Sequence, residues 1–259
     1  MDNNIITNLW NYRHLTMKLA ISDFKLRYKN SILGFLWSLI EPLLMLVVLY
    51  VVFTNLMKVN VEHYQLFLLT GIISWNMLSR GTTMSLNSIL GKPSLVKKIY
   101  FPREILVISS CITALLMTLL EFIIFGLFMI IFAVTPTMTV IYFPLIIFAE
   151  LLFITGISLG LSVLNVYYRD IQYIWAVILQ IGFFATPVMY PISIFPERYL
   201  YIIRLNPMTR IIDALRGSLV YSVLPKNLDI AFIIGSVFTM IIIGYLIFLR
   251  FEPKLAEEL

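Results

Sequence analysis

Charged residues are scarce in this chain of 259 residues, and so are the residues that build most catalytic and metal sites. Asp, Glu, Lys and Arg make up 13% of the sequence, whereas soluble domains contain about 25%. There is one cysteine, Cys111, and there are two histidines, His14 and His63. A single cysteine excludes an intrachain disulfide and suggests no cysteine-based metal site. The low charge excludes an ordinary soluble globular domain.

The sequence also lacks the phosphate loop G-x-x-x-x-G-K-[ST] and the zinc motif H-E-x-x-H. Any ATP-driven work would therefore need a partner chain, and we predict no catalytic residue, cofactor site or metal site. Gly156-Ile-Ser-Leu-Gly160 matches the hydrolase pattern G-x-S-x-G. Because the match lies inside a continuous apolar run, we interpret it as a small-x-x-x-small pattern, which lets membrane helices approach closely. The alternative is an intramembrane hydrolase that uses Ser158.

Long apolar runs dominate the rest of the chain, of which 60% is hydrophobic. About 20 apolar residues in a helix cross the ~30 Å core of a bilayer. The sequence therefore predicts an all-α integral membrane protein whose single transmembrane domain covers residues 1–259. The six predicted spans are 33–56, 64–90, 105–134, 140–166, 171–190 and 228–249.

The basic residues give the predicted orientation. Lys25, Arg27 and Lys29 lie just before the first span, and Lys and Arg beside a span favour the cytoplasmic side. Counting the spans alternately then places most other basic residues in the cytoplasm, with both termini inside. The net charge of +5 is better explained by this topology and by anionic lipid headgroups than by nucleic-acid binding.

The first 31 residues are predicted to form an amphipathic interface helix. Residues at three- and four-residue spacing share one helical face, and basic side chains flank that face. Such a helix can lie among lipid headgroups with its charges reaching water. The face contains Trp10, His14, Met17, Ile21, Phe24 and Tyr28, and the flanking residues are Arg13, Lys18, Lys25, Arg27 and Lys29.

The segment 91–104 is predicted to lie in the cytoplasm because it is strongly basic. Pro93 and Pro102 bracket a stretch that is long enough for about two helical turns, with Ser94 as a plausible N-cap. It is either a positively charged topology loop or a short rigid helix that is presented to a cytoplasmic partner.

The segment 191–227 is the longest predicted connection and lies outside. Asn206 and Pro207 indicate a helix start, with Asn as the N-cap and Pro in the first turn. Arg210, Asp213 and Arg216 fall off the apolar stripe of that helix. The helix is too short and too charged to span, so we predict a re-entrant helical pair between spans 5 and 6.

Four charged residues lie inside predicted spans: Glu41, Arg80, Glu121 and Glu150. Charged side chains at membrane depth face protein or water, because lipid cannot solvate them. They could form a proton relay, as in a proton-coupled secondary carrier. Structural pairing between helices is the alternative that we favour.

Five stretches, taken in order, resemble a known family. They are SDFKLRYKNSILGFLWSLIEPLLMLVVLYVVF, SLVKKIYFPRE, NVYYRDI, TPVMYPISIFPE and LNPMTRIIDALRG. Together they resemble the type-2 ABC exporter permeases, and most of all the branch that exports O-antigen, teichoic acid and capsular polysaccharides. The resemblance covers essentially the whole chain.

The resemblance implies a multi-pass permease of the bacterial inner membrane that exports a lipid-linked polysaccharide, as in lipopolysaccharide biosynthesis. It implies a homodimer with a channel between the subunits, and two copies of a separate ATPase that binds ATP and Mg. It casts Ser94, Leu95, Val96, Lys97, Lys98, Ile99 and Tyr100 as a coupling helix that docks on the ATPase. It assigns Trp10, Arg13, Lys25, Arg27 and Lys29 to the cytoplasmic entrance, and Asn206, Pro207, Arg210, Asp213 and Arg216 to re-entrant helices near the exit.

A channel for a sliding glycan should offer aromatic faces and weak polar contacts, because sugar rings have apolar CH faces and polar edges. Spans 1 and 5 contain such residues, although Trp and Tyr also gather at bilayer interfaces as ordinary belts. A smaller lipid or drug substrate is the alternative on the same fold. The predicted channel residues are Trp37, Glu41, Tyr50, Phe53, Tyr173, Trp175, Gln180, Phe183, Phe184 and Tyr190.

Overall fold

The computed structural model describes residues 10–29, 33–34, 36–56, 61–98 and 101–255. The described residues form helices and connecting turns and no strand, as the sequence predicts. The helices are α1 Arg13–Tyr28, α2 Leu36–Val51, α3 Tyr64–Leu86, α4 Pro93–Lys98, α5 Glu104–Ile131, α6 Phe143–Tyr167, α7 Ile171–Ala185, α8 Glu197–Arg204, α9 Pro207–Arg216 and α10 Asn227–Phe251. A π-helical turn, Val52–Leu56, extends α2, and another, Gly217–Tyr221, extends α9.

Helix α3 lies at the centre of the bundle. It packs against α2, α5, α6, α7 and α9, and almost all of its side chains are buried. Its first half is apolar on every side, and its second half carries small Ser, Thr and Gly residues that let neighbouring helices approach. A helix without a consistently polar face is suited to an interior position, so α3 organises the rest of the bundle.

Helices α6 and α10 meet along a seam of glycines. A Cβ atom on Gly156 would lie 2.6 Å from the backbone of Met240 and Ile241, and one on Gly244 would collide with the carbonyl oxygen of Gly156. Gly160 also lies against Gly244 across this contact. The small-x-x-x-small interpretation of the Gly156–Gly160 pattern is therefore confirmed. Ser158 between them is fully buried, whereas a hydrolytic nucleophile has to meet water.

Among the described residues, four helical segments are long and apolar enough to cross a membrane. They are Leu36–Asn55, Glu104–Ile131, Met138–Tyr167 and Asn227–Phe251, with mean hydropathies of 2.3 to 2.6. Helix α3 has 23 residues and is about 35 Å long at 1.5 Å per residue, but its polar second half lowers its hydropathy. Helix α7 is apolar but has 15 residues. Six spans and the sidedness of the termini thus remain predictions.

Several boundaries differ from the sequence prediction. Helix α3 ends at Leu86 and not at residue 90, and α7 ends at Ala185 and not at residue 190. Helix α4 begins at Pro93, which places Ser94 inside the helix, so Ser94 is not its N-cap. Proline is well tolerated at the first helical position because its missing N–H would be unpaired there anyway.

Helix α1 packs against the bundle with a second face, separate from the apolar face that is predicted to lie among lipid headgroups. Thr16 and Ala20 are buried, and Thr113 of α5 donates a hydrogen bond to the carbonyl oxygen of Ala20. Trp10 and Ile21, from the predicted apolar face, are 69% and 40% exposed. The helix therefore has one face against α5 and a second apolar face left open. Residues 1–9 and 30–31 of the predicted interface helix lie outside the described residues.

Candidate functional site

Two hollows between α2, α3 and α7 share Met45 in their lining, and we call the two together the inter-helix groove. The first hollow, of about 590 Å³, is lined by α2 and by Asn76 of α3. The second, of about 420 Å³, lies between α3 and α7, and Met45 belongs to both. The lining residues are Trp37, Glu41, Leu44, Met45, Val48, Trp75, Asn76, Ser79, Thr83, Ala176, Leu179, Gln180, Phe183 and Phe184.

The lining of the groove combines aromatic rings with neutral polar groups. Asn76, Ser79 and Thr83 recur at helical spacing along α3, so they share the face that is turned to the groove. Ring edges meet ring faces at its wall, where Trp75 and Phe183 pack with their centroids 6.0 Å apart. Gly182 makes this contact possible, because a Cβ atom there would lie 2.8 Å from the Trp75 ring.

The predicted channel residues divide between this groove and other positions. The groove is lined by Trp37, Glu41, Gln180, Phe183 and Phe184. The indole of Trp175 donates a hydrogen bond to Thr82 at 2.9 Å, and the Tyr190 hydroxyl donates one to the carbonyl oxygen of Phe184 at 2.5 Å. Tyr50 and Phe53 are half-buried against the core, and Tyr173 is 67% exposed. Their roles as channel residues remain predictions.

The sequence prediction of channel residues did not name any residue of α3. The assignment of channel residues drew on spans 1 and 5, yet Trp75, Asn76, Ser79 and Thr83 line the groove from the second span. The signal was present in the sequence, since the second half of that span is rich in Ser, Thr and Asn. Such a half-helix belongs against other helices or a wet cavity, because it gains nothing from facing lipid.

An ion cluster extends from the groove into the core of the bundle. Arg80, 9% exposed, pairs with the fully buried Glu121 of α5 and, at 3.4 Å, with Glu41 of α2. Charged groups inside a membrane protein are stable when they neutralise one another. The contacts therefore match the structural pairing between helices that we favoured, with α3 holding α2 and α5 through one guanidinium.

Glu150 lies apart from this cluster. It is fully buried in α6 and accepts a hydrogen bond from Ser74 of α3 at 2.8 Å. The hydrogen bond joins α6 to the central helix, and within the described part of the chain Glu150 forms no ion pair. These contacts therefore do not connect Glu41 to Glu150 in a chain of carboxylates, as a proton relay would need.

Arg216 corrects the prediction for the outer segment. It is 2% exposed and donates three hydrogen bonds, to the carbonyl oxygens of Phe67 at 3.1 Å, Pro187 at 2.8 Å and Val188 at 2.6 Å. Its guanidinium carbon also lies 3.4 Å from the centre of the Phe67 ring. Burial lowers the pKa of Arg216 to about 10, so the guanidinium is still charged at neutral pH. Gly71 makes room for it, because a Cβ atom there would lie 2.7 Å from Arg216.

Helix α7 ends early because Pro187 cannot continue it and pushes Thr186 into an extended conformation, and the contacts of Arg216 satisfy the carbonyl groups that follow. The carbonyl groups of Pro187 and Val188 have left the helix, and buried carbonyls need a donor. Arg216 supplies that donor from α9, and Tyr64 donates to the next carbonyl, that of Met189, at 2.5 Å. The unwound end of α7 is therefore fixed by α3 and α9.

The other predictions for the outer segment concern the start of α9 and its remaining charged residues. Asn206 caps α9 by accepting a hydrogen bond from the backbone of Met208 at 3.0 Å, and Pro207 is the first helical residue, as predicted. Arg210 pairs with Asp229 at the start of α10, and Asp213 lies 3.7 Å from Arg216. The segment forms the predicted helical pair, α8 and α9.

The predicted coupling segment forms a short helix whose two faces differ. Val96 is 7% exposed and packs into the core at the end of the bundle that contains α4, whereas Ser94 and Lys97 are exposed. Lys92, just before the helix, pairs with Asp23 of α1 at 2.6 Å. Ile99 and Tyr100 lie outside the described residues, as does the side chain of Lys98. A small anchored helix thus presents a polar surface.

Comparison with known proteins gives the class of this chain. Residues 15–220 match the model of the ABC-2 type transporter family, and the chain belongs to that family. With its apolar helices, it is a multi-pass protein of the inner membrane.

Several relatives within this family are named as permeases or transport proteins for polysaccharides. The chain is 30% identical over 95% of its length to an O-antigen export system permease protein RfbA of Klebsiella pneumoniae, of which it covers 95%. It is also 30% identical over 81% of its length to the RfbA protein of Myxococcus xanthus, of which it covers 82%. The polysialic acid transport protein KpsM of Escherichia coli is 23% identical over 86% of the chain and 87% of that protein.

Proposed function

We propose that this chain is the permease subunit of an ABC exporter that moves a lipid-linked polysaccharide, such as O-antigen, outward across the inner membrane. Two copies form a conduit between them, and a separate ATPase, also in two copies, hydrolyses the ATP. The observation that carries the proposal is the inter-helix groove between α2, α3 and α7, with its lining of aromatic rings and polar side chains. The relatives named for O-antigen export support the class of cargo.

The groove has the chemistry that a moving glycan needs. Trp37, Phe183 and Phe184 offer ring faces to the apolar CH faces of sugars, while Asn76 and Gln180 offer amides to hydroxyl groups. None of these contacts is a strong ion pair, so each sugar can bind weakly and move on. A second copy that faced the groove would turn it from an open trough into a closed conduit.

The two predicted ends of the conduit have fitting partners. The exposed Ser94 and Lys97 of α4 would dock on the ATPase, because Val96 fixes that helix to the permease. The open apolar face of α1, with Ile21, would lie in the lipid interface at the cytoplasmic entrance, together with Trp10 just before the helix. At the outer end, α8 and α9 would border the exit.

Deletion of the gene tests the proposed cargo. Cells without the permease should accumulate the lipid-linked polymer inside and lose it from the surface, which immunoblotting of intact and permeabilised cells measures. Re-expression of the wild-type chain should restore export. Unchanged surface polysaccharide in the deletion strain would contradict the proposal.

Charge reversal on α4 tests the proposed motor. The amount of ATPase that co-purifies with the Lys97→Glu variant should be well below the amount that co-purifies with the wild type. The purified permease alone should hydrolyse no ATP. Arg198→Glu is a matched control, since Arg198 is exposed on α8 at the other end of the proposed conduit. Equal loss of the complex in both variants would argue against docking at α4.

A further inference from the structure

A partly buried ion pair joins α1 to the start of α4. Lys92, the residue just before α4, donates to the Asp23 carboxylate of α1 at 2.6 Å, and the two side chains are 22% and 19% exposed. Asp23 is the single acidic residue in the sequence of α1, whose other charged residues are basic. Its partner lies 69 positions further along the chain, so the contact ties two separate segments together.

Lys92 also belongs to the first turn of α4. Its backbone carbonyl oxygen accepts hydrogen bonds from the amides of Leu95 at 3.1 Å and Val96 at 3.3 Å. A residue whose carbonyl accepts the first bonds of a helix keeps its place relative to that helix. A displacement of α4 therefore carries the backbone of Lys92 with it, and the ammonium group that holds Asp23 follows.

An apolar cluster brings the same two helices together. Leu15 and Leu19 of α1 pack against the cluster that contains Val96 of α4 and the fully buried Phe248 of α10. Leu15, Leu19 and Asp23 follow one another at intervals of four residues, so they lie on one face of α1. Apolar packing at two of these positions and an ion pair at the third thus fix α1 to the part of the protein that holds α4.

The ion pair is suited to transmit a displacement. A hydrogen bond between charged groups is about twice as strong as one between neutral groups, and the partial burial of this pair reduces its screening by salt. Helix α1 also contacts α5, where Thr113 donates to the Ala20 carbonyl oxygen at 3.2 Å, but that bond joins neutral groups. When α4 moves, α1 should therefore follow it.

We infer that Lys92 and Asp23 are positioning residues that transmit the ATP-driven movement of α4 to α1 and so open the cytoplasmic entrance. The inference rests on the proposed function, in which an ATPase docks on α4 and α1 borders the entrance. Neither side chain needs to touch the cargo, because the pair acts through the position of α1.

Charge reversal is the first test, made on the full permease with its ATPase. Asp23→Lys and Lys92→Asp each bring two like charges together, so α1 should no longer follow α4. Surface polymer in cells should fall at least about fivefold, while ATP hydrolysis by the purified complex stays within about twofold of the wild type, because coupling between two sites is typically worth about fivefold or more. The double variant Asp23→Lys/Lys92→Asp restores a pair of opposite polarity and should recover at least about half of the export.

Thr113→Val is the matched control, because it removes the other side-chain hydrogen bond to α1 and leaves the ion pair intact. It should export the cargo like the wild type. Normal export in the single charge variants, equal loss in Thr113→Val, or no recovery in the double variant would overturn the inference. A loss of ATP hydrolysis in parallel with export would also overturn it, since the pair would then only hold the complex together.

A covalent link is the second test and does not depend on charge. In a Cys111→Ser background, Asp23→Cys and Lys92→Cys are joined in cells by a short, membrane-permeable bifunctional thiol reagent. Cross-linking should restore the export that the unlinked variant lacks, and export that stays low after complete cross-linking would overturn the inference. If deletion of the gene removes no surface polymer, the proposed function fails, and the inference with it.

Discussion

Replacement of Arg216 by alanine should destabilise the permease more than any other single change of an outer arginine. The variant loses three hydrogen bonds, to the carbonyl oxygens of Phe67, Pro187 and Val188. At about 1–2 kcal/mol for each bond, the free energy of unfolding should fall by about 3–6 kcal/mol. Three buried carbonyl groups would be left without this donor, and nothing smaller than arginine can reach all of them.

The loss is measurable as a shift in melting temperature of the purified protein in detergent. For a chain of this size, about 2–4 °C accompanies each kcal/mol, so Arg216→Ala should melt at least about 6 °C below the wild type. Arg216→Lys should fall between them, because a lysine keeps the charge but not the planar fork that reaches several acceptors.

Arg198→Ala is the matched control for this experiment. Arg198 is exposed on α8, and its guanidinium carbon lies 4.7 Å from the centre of the Tyr199 ring. Exposed contacts of this kind contribute about 0.5–1 kcal/mol, so this variant should melt within about 4 °C of the wild type. An Arg216→Ala variant as stable as Arg198→Ala would refute the role given to the three carbonyl groups.

Three further predictions concern packing, protonation and the serine pattern. Gly244→Ala should destabilise the protein by about 1–3 kcal/mol through its clash with Gly156, whereas Gly235→Ala, with nothing within 4 Å, should melt like the wild type. Burial and the Glu104 carboxylate raise the pKa of Glu252. The stabilising contribution of Glu252 is therefore complete at a pH below the pKa that it has in the unfolded chain. This contribution is lost as the pH rises through the pKa that Glu252 has in the folded protein. Glu252→Gln should accordingly gain melting temperature relative to the wild type at neutral pH, and the gain should vanish in acid. Ser158→Ala should export the cargo at the wild-type rate, and loss of export with normal folding would revive a chemical role for this hydroxyl.

Local signals in the sequence predicted the local structure well. Asn206 and Pro207 start α9 as expected, because a cap needs nothing beyond its own first turn. The glycine pattern of Gly156 and Gly160 likewise marked a close helix contact, since only small residues allow backbones to meet. The sequence did not identify the helix that contacts these glycines, which is α10.

One error overlooked a local signal, and the others arose where a distant residue decides the outcome. The apolar run through residue 190 predicted a longer α7, but Pro187 ends the helix, and Arg216 and Tyr64 then bind the carbonyl groups that follow. Periodicity placed Arg216 on the polar side of α9 and could not see the carbonyls, which come from other segments. In α1, periodicity identified an apolar face but not the second face that contacts α5, because both are compatible with the same spacing.

The sequence predicted the types of side chain that line the groove, but it predicted only some of the individual residues. Aromatic and amide residues of the first and fifth spans were the expected lining, and Trp37 and Gln180 do line it. Asn76 and Thr83 were overlooked individually, since a polar half-helix can face either protein or water and the sequence does not say which. The pairing of Arg80 with both Glu41 and Glu121 needed the three helices in place.

The composition of α3 also bears on how the protein is made. A segment with a guanidinium and a row of hydroxyls near its middle partitions poorly into hydrocarbon by itself. Its carboxylate partner on α5 is synthesised later, since Glu121 follows Arg80 in the chain. During biogenesis α3 should therefore stay beside the translocon until α5 emerges, and cross-linking of ribosome-bound nascent chains of increasing length would reveal that delay.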